Sequence, residues 1–326
     1  MPKSKLILII AFVVASLAGT WWYLHNRPGG RVVTGLTSDP ADTLVSVGGR
    51  TNVVFLGVGG EGHAGGDLTD SIILFSYAHS TRQVTLIPIP RDLWVKSLQA
   101  KINSAYHYGN ERREGGGRDL VKSAVAEVTG QSVQYSVVLD FAGFEKMIDS
   151  VGGVDLTIDT TFTDNKYPIP GKETALPESD RYEILTFVAG PTHLDGATAL
   201  KFARSRHAEG EEGTDFARSA RQEKVILALK TKLLSTQTLL SLSTLQNLLH
   251  NLSDSLDTDI GEAESGAFIR LFLSYAQANS KLTTIDITGQ YITPKNLSPY
   301  QGQWVLIPKT NQEDIYAYVA KALQTQ

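Results

Sequence analysis

The chain has 326 residues, with 30 lysines and arginines against 34 aspartates and glutamates, a formal net charge of −4, and no cysteine. That balance argues against a partner such as duplex DNA or RNA, whose binders carry a basic excess. The missing cysteine excludes a disulfide framework, a zinc–thiolate site, an iron–sulfur cluster and a cysteine nucleophile.

Leu6 to Leu24 (LILIIAFVVASLAGTWWYL) runs nineteen residues without a charge. At 1.5 Å per helical residue this reaches across a hydrocarbon core. Lys3 and Lys5 precede it, and Trp21, Trp22 and Tyr23 close it with side chains suited to the membrane–water boundary. Ser16-Leu17-Ala18 before Gly19 also fits a cleavage site, so a cleaved signal peptide is the alternative to an uncleaved anchor. Either reading places the bulk of the chain outside the cytoplasm. The expected layout is a cytoplasmic end over 1–5, a transmembrane anchor over 6–24, a linker over 25–50 and an extracytoplasmic domain over 51–326. The linker follows from Pro28-Gly29-Gly30, Asp39-Pro40 and Gly48-Gly49 among few large apolar residues.

Beyond the linker, strands are expected at 51–58, 71–77, 83–89, 132–139 and 154–158. Helical spacing runs over 119–129, 141–150, 197–203 and 215–234, with glycine after the first two. Pro168, Pro170 and Pro177 mark 161–188 as a loop or hairpin excursion. The last ninety residues give two amphipathic helices, short strands at 283–287 and 304–307, and a final helix from Glu313. Strands alternating with helices imply an α/β fold, a layered α-β-α domain with a central mixed sheet, preceded by one N-terminal transmembrane helix.

Gly57-Val58-Gly59-Gly60-Glu61-Gly62 matches a dinucleotide-binding pattern, but that chemistry needs a helix N-terminus next, and here another strand follows. The helix at 215–234 is more informative. Its stripe of Val225, Leu229 and Lys232/Leu233 is headed, at helical spacing, by Asp215, Arg218 and Gln222, polar groups aimed at a cleft. Arg221 lies on the same helix, and Arg204-Ser205-Arg206-His207 lies just upstream. Glu209, Glu211 and Glu212 leave open a solvated, salt-bridged surface. Four residues of the type Arg204, Arg206, Arg218 and Gln222 together favour a phosphate or carboxylate site, because guanidinium groups bind such anions in bidentate fashion.

Eight ordered blocks over roughly 51–235 carry a resemblance. They are Thr69-Asp70-Ser71, Ile89-Pro90-Arg91-Asp92, Lys101-Ile102-Asn103-Ser104-Ala105-Tyr106 and Val137-Val138-Leu139-Asp140-Phe141-Ala142-Gly143-Phe144, then Gly152-Gly153-Val154-Asp155, the Gly190–Gly196 run, Arg204-Ser205-Arg206-His207 and the Asp215–Gln222 run. The sequence so resembles the LytR–CpsA–Psr family, once labelled a cell-envelope-related transcriptional attenuator. The resemblance implies transfer of a glycopolymer from a polyprenyl-pyrophosphate carrier onto peptidoglycan at the plasma membrane, with a divalent metal, usually magnesium. It implies that Arg91, Arg204, Arg206 and Arg218 grip the pyrophosphate with Gln222 adding a hydrogen bond. Lys101 and Arg221 would lie near the same anion, and Asp70 would be a magnesium ligand. Asp215 would orient an arginine or move a proton. Two positions depart from the family pattern: Gly59 replaces an aspartate after the first strand, and Leu68 a basic residue before Asp70. Asp67, or water, is the candidate substitute ligand.

Arginines and Mg2+ suit phosphoryl transfer, which depends on positioning and on neutralising charge on the phosphate oxygens. A sugar hydroxyl would attack phosphorus and release polyprenyl phosphate, with Asp92 and Asp215 as candidate bases. Phe141, Phe144, Met147, Ile148 and Val151 either line an apolar slot for the prenyl chain or form plain core. Two other readings stand beside transfer: hydrolysis of the polyprenyl pyrophosphate, and a non-catalytic envelope sensor.

Overall fold

The computed structural model describes residues 30–60, 65–172, 174–233, 235, 256–277 and 282–324. The expected span Leu6–Leu24 lies outside them, and among the described residues no helix is long and apolar enough to cross a membrane. The described chain divides into two compact units. One draws on the described residues up to Gly59, on Asp67–Leu139 and on those from Leu256 onward, the other on the described residues of Gly60–Gly66 and Asp140–Ser255.

The first unit is built on a six-stranded sheet in the order Leu256–Thr258, Tyr135–Asp140, Arg50–Val58, Thr69–Ala78, Gln83–Ile89, Leu282–Thr284. It is mixed. Arg50–Val58, Thr69–Ala78 and Gln83–Ile89 form an antiparallel meander, and Leu282–Thr284 joins its edge in parallel. Alternation sends Val54, Leu56, Ile72, Leu74 and Ile87 to one face. There they meet Val121, Val125 and Val128 of the Gly116–Thr129 helix and Ile315, Val319 and Leu323 of the Gln312–Gln324 helix. On the opposite face Tyr135 packs edge-on against Phe268 of the Glu262–Gln277 helix. Both faces are covered by helices, which is why the strands read as continuous apolar runs rather than as half-polar ones.

Part of the expected linker is folded. Gly30–Thr37 is helical and packs against Glu262–Gln277, and Arg270 donates to the carbonyls of Thr37 and Ser38. Asp39 caps a further turn, Pro40–Thr43, by accepting from the amide of Ala41 at 2.9 Å. Glycine and proline count made 25–50 look like a tether; Pro40 in fact sits at a helix start, where its missing N–H costs nothing.

The Ala105–Arg112 helix was not foreseen, because only Ala105 and Gly109 in it are buried and no apolar stripe announces it. It is fixed by close approach to the next helix. A Cβ on Gly109 would lie 2.3 Å from the carbonyl oxygen of Gly116, backbone against backbone, so only glycine fits there.

The second unit pairs Val154–Ile158 with Gly190–Leu194 and Phe162–Pro168 with Tyr182–Phe187, so the 161–188 excursion is a hairpin. Among the described residues three α-helices accompany them: Phe141–Ser150, Gly196–Arg204 and Asp215–Leu233. Asp140 and Asp195 cap the first two through the amides of Gly143 and Thr198. Met147 and Ile148 are fully buried, so these members of the expected prenyl-slot stripe are core.

Candidate functional site

In the first unit the site begins with strand register. Ile72 pairs with Ile89, and continuing that antiparallel pairing by two residues sets Asp70 opposite Arg91. The two side chains form an ion pair, Arg91 Nη1 to Asp70 Oδ1, and both are about half exposed. Arg91 Nε also lies 3.7 Å from Asp92 Oδ2, and Lys101 Nζ donates to Asp92 Oδ1 at 2.7 Å. Lys101 reaches that position from a two-residue strand pairing, Trp94 with Lys101 and Val95 with Ala100. Leu93, Val95 and Ile102 are fully buried beneath it. Each such burial contributes about 2 kcal/mol, against under ~1 kcal/mol for an exposed ion pair. The core therefore sets this loop, and the ion pairs only choose rotamers on it.

Asp67, the expected substitute metal ligand, is committed elsewhere: its Oδ2 lies 2.6 Å from His107 Nδ1. That hydrogen bond holds the His107 imidazole above its ordinary value. Among the described residues no group of three or more His, Asp or Glu side chains assembles into a metal cage. The remaining carboxylate, Asp70, is half exposed. One carboxylate matches a Mg2+ that takes its other ligands from phosphate oxygens and water.

In the second unit Arg204 ends its helix, and its guanidinium carbon stands 4.2 Å from the Phe141 ring centroid and 5.9 Å from that of Tyr167. Tyr167 Oη is 3.5 Å from Arg204 Nη1. The cation is thus held by two π faces and a phenol. Gly196 starts this helix, and a Cβ there would lie 2.2 Å from the carbonyl oxygen of Glu145, which locks the helix against Phe141–Ser150.

The loop after Arg204 is fastened by Asp164, whose carboxylate is fully buried. Its Oδ2 accepts from Ser205 Oγ at 2.7 Å and from the amides of Arg206 and His207 at 3.0 and 3.2 Å, and its Oδ1 from the amide of Lys166 at 3.0 Å. Burial opposes the charge, but these bonds outweigh it, and the Asp164 carboxyl sits below its ordinary value. Arg221 clamps the loop from its other side, donating to the carbonyls of Phe202, Ser205 and Glu212 and to Glu212 Oε2.

Arg221 therefore departs from its expected role. It is 3% exposed and spends its donors on the protein's own oxygens, which leaves it a structural clamp. The helical phase explains the difference. Among the described side chains of Asp215–Leu233 the buried ones are Arg221, Val225, Ala228 and Leu229, whereas Arg218 is half-buried and Gln222 exposed. Thr214 caps this helix by accepting from the amide of Ala217, which makes Asp215 its first residue. Arg206 is exposed on the loop between the two clamps.

The structure thus groups Asp70, Arg91, Asp92 and Lys101 in the first unit, and Arg204, Arg206 and Arg218 around the Asp164–Arg221 clamp in the second. The sequence pointed to the cations but not to Asp164, Tyr167 or the stacking role of Phe141. The one local signal was Asp164-Asn165, a turn-forming pair inside a strand, where the register shifts.

A profile of the LytR_cpsA_psr family matches residues 34–315. The chain is 26% identical over 236 residues to the polyisoprenyl-teichoic acid–peptidoglycan teichoic acid transferase TagV of Bacillus subtilis (strain 168), an alignment covering 70% of this chain and 54% of that protein. To the transferase of the same description, TagU, of Enterococcus faecalis (strain ATCC 700802 / V583) it is 27% identical over 304 residues, 89% of each chain. The fold is similar to the crystal structure of B. subtilis TagV with a TM-score of 0.53 at 23% identity, over 86% of this chain and 99% of that one.

Proposed function

The chain belongs to the LytR_cpsA_psr family, and from that premise we propose that it is a membrane-anchored phosphotransferase that moves a glycopolymer from a polyprenyl-pyrophosphate carrier onto peptidoglycan. The observation that carries the reading is the setting of Arg204. Its charge is held by the rings of Phe141 and Tyr167 rather than by a carboxylate, which keeps its N–H donors for a phosphate. The relatives named as teichoic acid transferases supply the donor and acceptor classes.

In this reading Arg204, Arg206 and Arg218 bind the pyrophosphate, and Gln222 adds a hydrogen bond. Asp70 would hold Mg2+, which would supply charge neutralisation at the phosphate oxygens. Arg91 exchanges its Asp70 partner for a phosphate oxygen, and Lys101 stays on Asp92. The acceptor hydroxyl forms a bond to the phosphorus that carries the polymer, the bridging P–O bond breaks, and polyprenyl phosphate leaves. The hydroxyl proton passes to a carboxylate, for which Asp92, held by Lys101, is the positioned candidate and Asp215 the second. The segment Leu6–Leu24 anchors the chain in the plasma membrane, with the folded part outside the cytoplasm.

The test is reconstitution of the full chain with Mg2+, a polyprenyl-pyrophosphate-linked polymer and peptidoglycan. Transfer gives polymer covalently bound to glycan together with polyprenyl phosphate. Free phosphorylated polymer instead would establish hydrolysis, and binding without turnover would establish a sensor; either result removes the transferase reading.

A further inference from the structure

The first unit contains an open groove of about 530 Å³ for which the reading above names no occupant. Beside Lys101 its walls present Asn103, Ser104, Tyr108, Arg112, Gln301 and Gln303. Amides and hydroxyls each donate and accept, as vicinal hydroxyl and N-acetyl groups require. Lys101 and Arg112 add two positive charges, and among the described residues no carboxylate lines the groove. Aromatic faces stand at its edge. Tyr108 is 39% exposed, and Trp304, next in the chain to Gln303, is 51% exposed with Lys101 Nζ 6.0 Å from its ring centroid. Exposed rings beside amides and hydroxyls suit the apolar face and polar rim of a pyranose.

The backbone around the groove is held in an unusual shape. Among the described residues other than glycine, only Arg82, Gln99 and Gln301 have positive φ, and two of these three line this groove, at +52° and +58°. Gln301 Nε2 donates to the Gln99 carbonyl at 3.2 Å and ties the two strained residues together. Left-handed conformations without glycine persist where the surroundings over-determine them, as at ligand clamps. The floor is tied to the reacting residues as well: the amide of Asn103 donates to the Arg91 carbonyl, and the Asn103 carbonyl accepts from Thr69 Oγ1.

We propose that this groove is a glycan subsite for an N-acetylated saccharide bearing a carboxylate, and that the saccharide is the acceptor strand. The acceptor assignment rests on the transferase reading; the binding chemistry does not. Lys101 links the two, since the ammonium that lines the groove also donates to Asp92, the candidate base.

The test uses the full chain in detergent and equilibrium titration with three probes: an N-acetylglucosamine–N-acetylmuramic acid tetrasaccharide, a glycerol-phosphate oligomer and farnesyl pyrophosphate. The variants are Tyr108→Ala with Gln303→Ala, both at exposed positions, and Arg112→Gln. The tetrasaccharide is expected to bind the wild type, at least ten-fold more weakly the double variant, and several-fold more weakly Arg112→Gln, with farnesyl pyrophosphate unchanged within two-fold. Undiminished tetrasaccharide binding in both variants, no binding to the wild type, or parallel loss of both ligands overturns the subsite. Preference of the groove for the glycerol-phosphate oligomer overturns the acceptor assignment. A groove that binds tetrasaccharide in a chain that transfers nothing sinks the transferase reading and leaves the subsite standing.

Discussion

Arg91 and Lys101 of the first unit and Arg204 of the second are held by different means. In the first, Arg91 and Lys101 are already neutralised, by Asp70 and Asp92. In the second, Arg204 rests on aromatic faces, and the one buried carboxylate of the neighbourhood, Asp164, is spent on a hydroxyl and backbone amides. An ion-paired arginine must release its carboxylate to take an anion. An arginine held by π faces keeps its polar edge available and loses little entropy on binding. The difference separates a cluster that exchanges partners from an arginine, Arg204, that is ready in advance, and it predicts unequal consequences for the same chemical change.

The largest effect is expected at Arg204. Arg204→Ala should reduce turnover of the lipid-linked donor by at least roughly 100-fold, equivalent to about 2.7 kcal/mol. Arg204→Lys should recover little, because an ammonium neither lies flat on Phe141 nor forks to two oxygens. Full recovery by lysine would show that charge alone matters and would dissolve the contrast between the units. Asp164 comes next. Asp164→Ala removes the acceptor for Ser205 Oγ and three amides and should destabilise the protein by about 3 kcal/mol in chemical denaturation, with Asp164→Asn costing less. Because its carboxyl is depressed in the folded state, the contribution is complete above the unfolded value of 3.8 and is lost as pH falls through the folded one. The stability gap between wild type and Asp164→Ala should therefore close in acid; a gap that widens there would contradict the role given to Asp164.

How much of this was legible beforehand depends on the range of the interaction. Strands such as Gln83–Ile89 and Val154–Ile158, and the Phe141–Ser150 helix, were readable because apolar period and caps are local. The arginines were readable as residue types, since their chemistry travels with the side chain. Asp164 was not, because its partners lie some forty residues downstream, and nothing local says that a strand aspartate will bond Ser205 rather than water. The burial of Arg221 was missed by a smaller margin. A 19-residue helix with cations at both 218 and 221 fixes the spacing but not which of them faces the core. The Ala105–Arg112 helix lacked any pattern because a glycine contact, not an apolar stripe, seats it.

Two smaller effects sharpen the picture of the first unit. Asp70→Asn removes one partner of an exposed pair, so its effect on unfolding should stay within about 0.5 kcal/mol. Its effect on function should be larger and selective, raising the Mg2+ concentration for half-maximal turnover several-fold. Unchanged metal dependence would remove Asp70 from the metal site.

The smallest expected effect concerns Asp67 and His107. The hydrogen bond from Asp67 raises the imidazole above 6.5, so the pair's contribution is complete below that value and is lost as pH rises through the folded one. Titration of the His107 ring protons by NMR should give a midpoint above 6.5 that falls in Asp67→Asn. With both carboxylate and imidazole substantially exposed, overall stability should hardly follow. The informative comparison is the same titration with Mg2+ added. A His107 midpoint unmoved by the metal leaves Asp67 committed to the imidazole and Asp70 as the unit's single metal carboxylate. A midpoint that drops would mean that Mg2+ draws Asp67 away from His107, and the first unit would then exchange partners at two carboxylates rather than one.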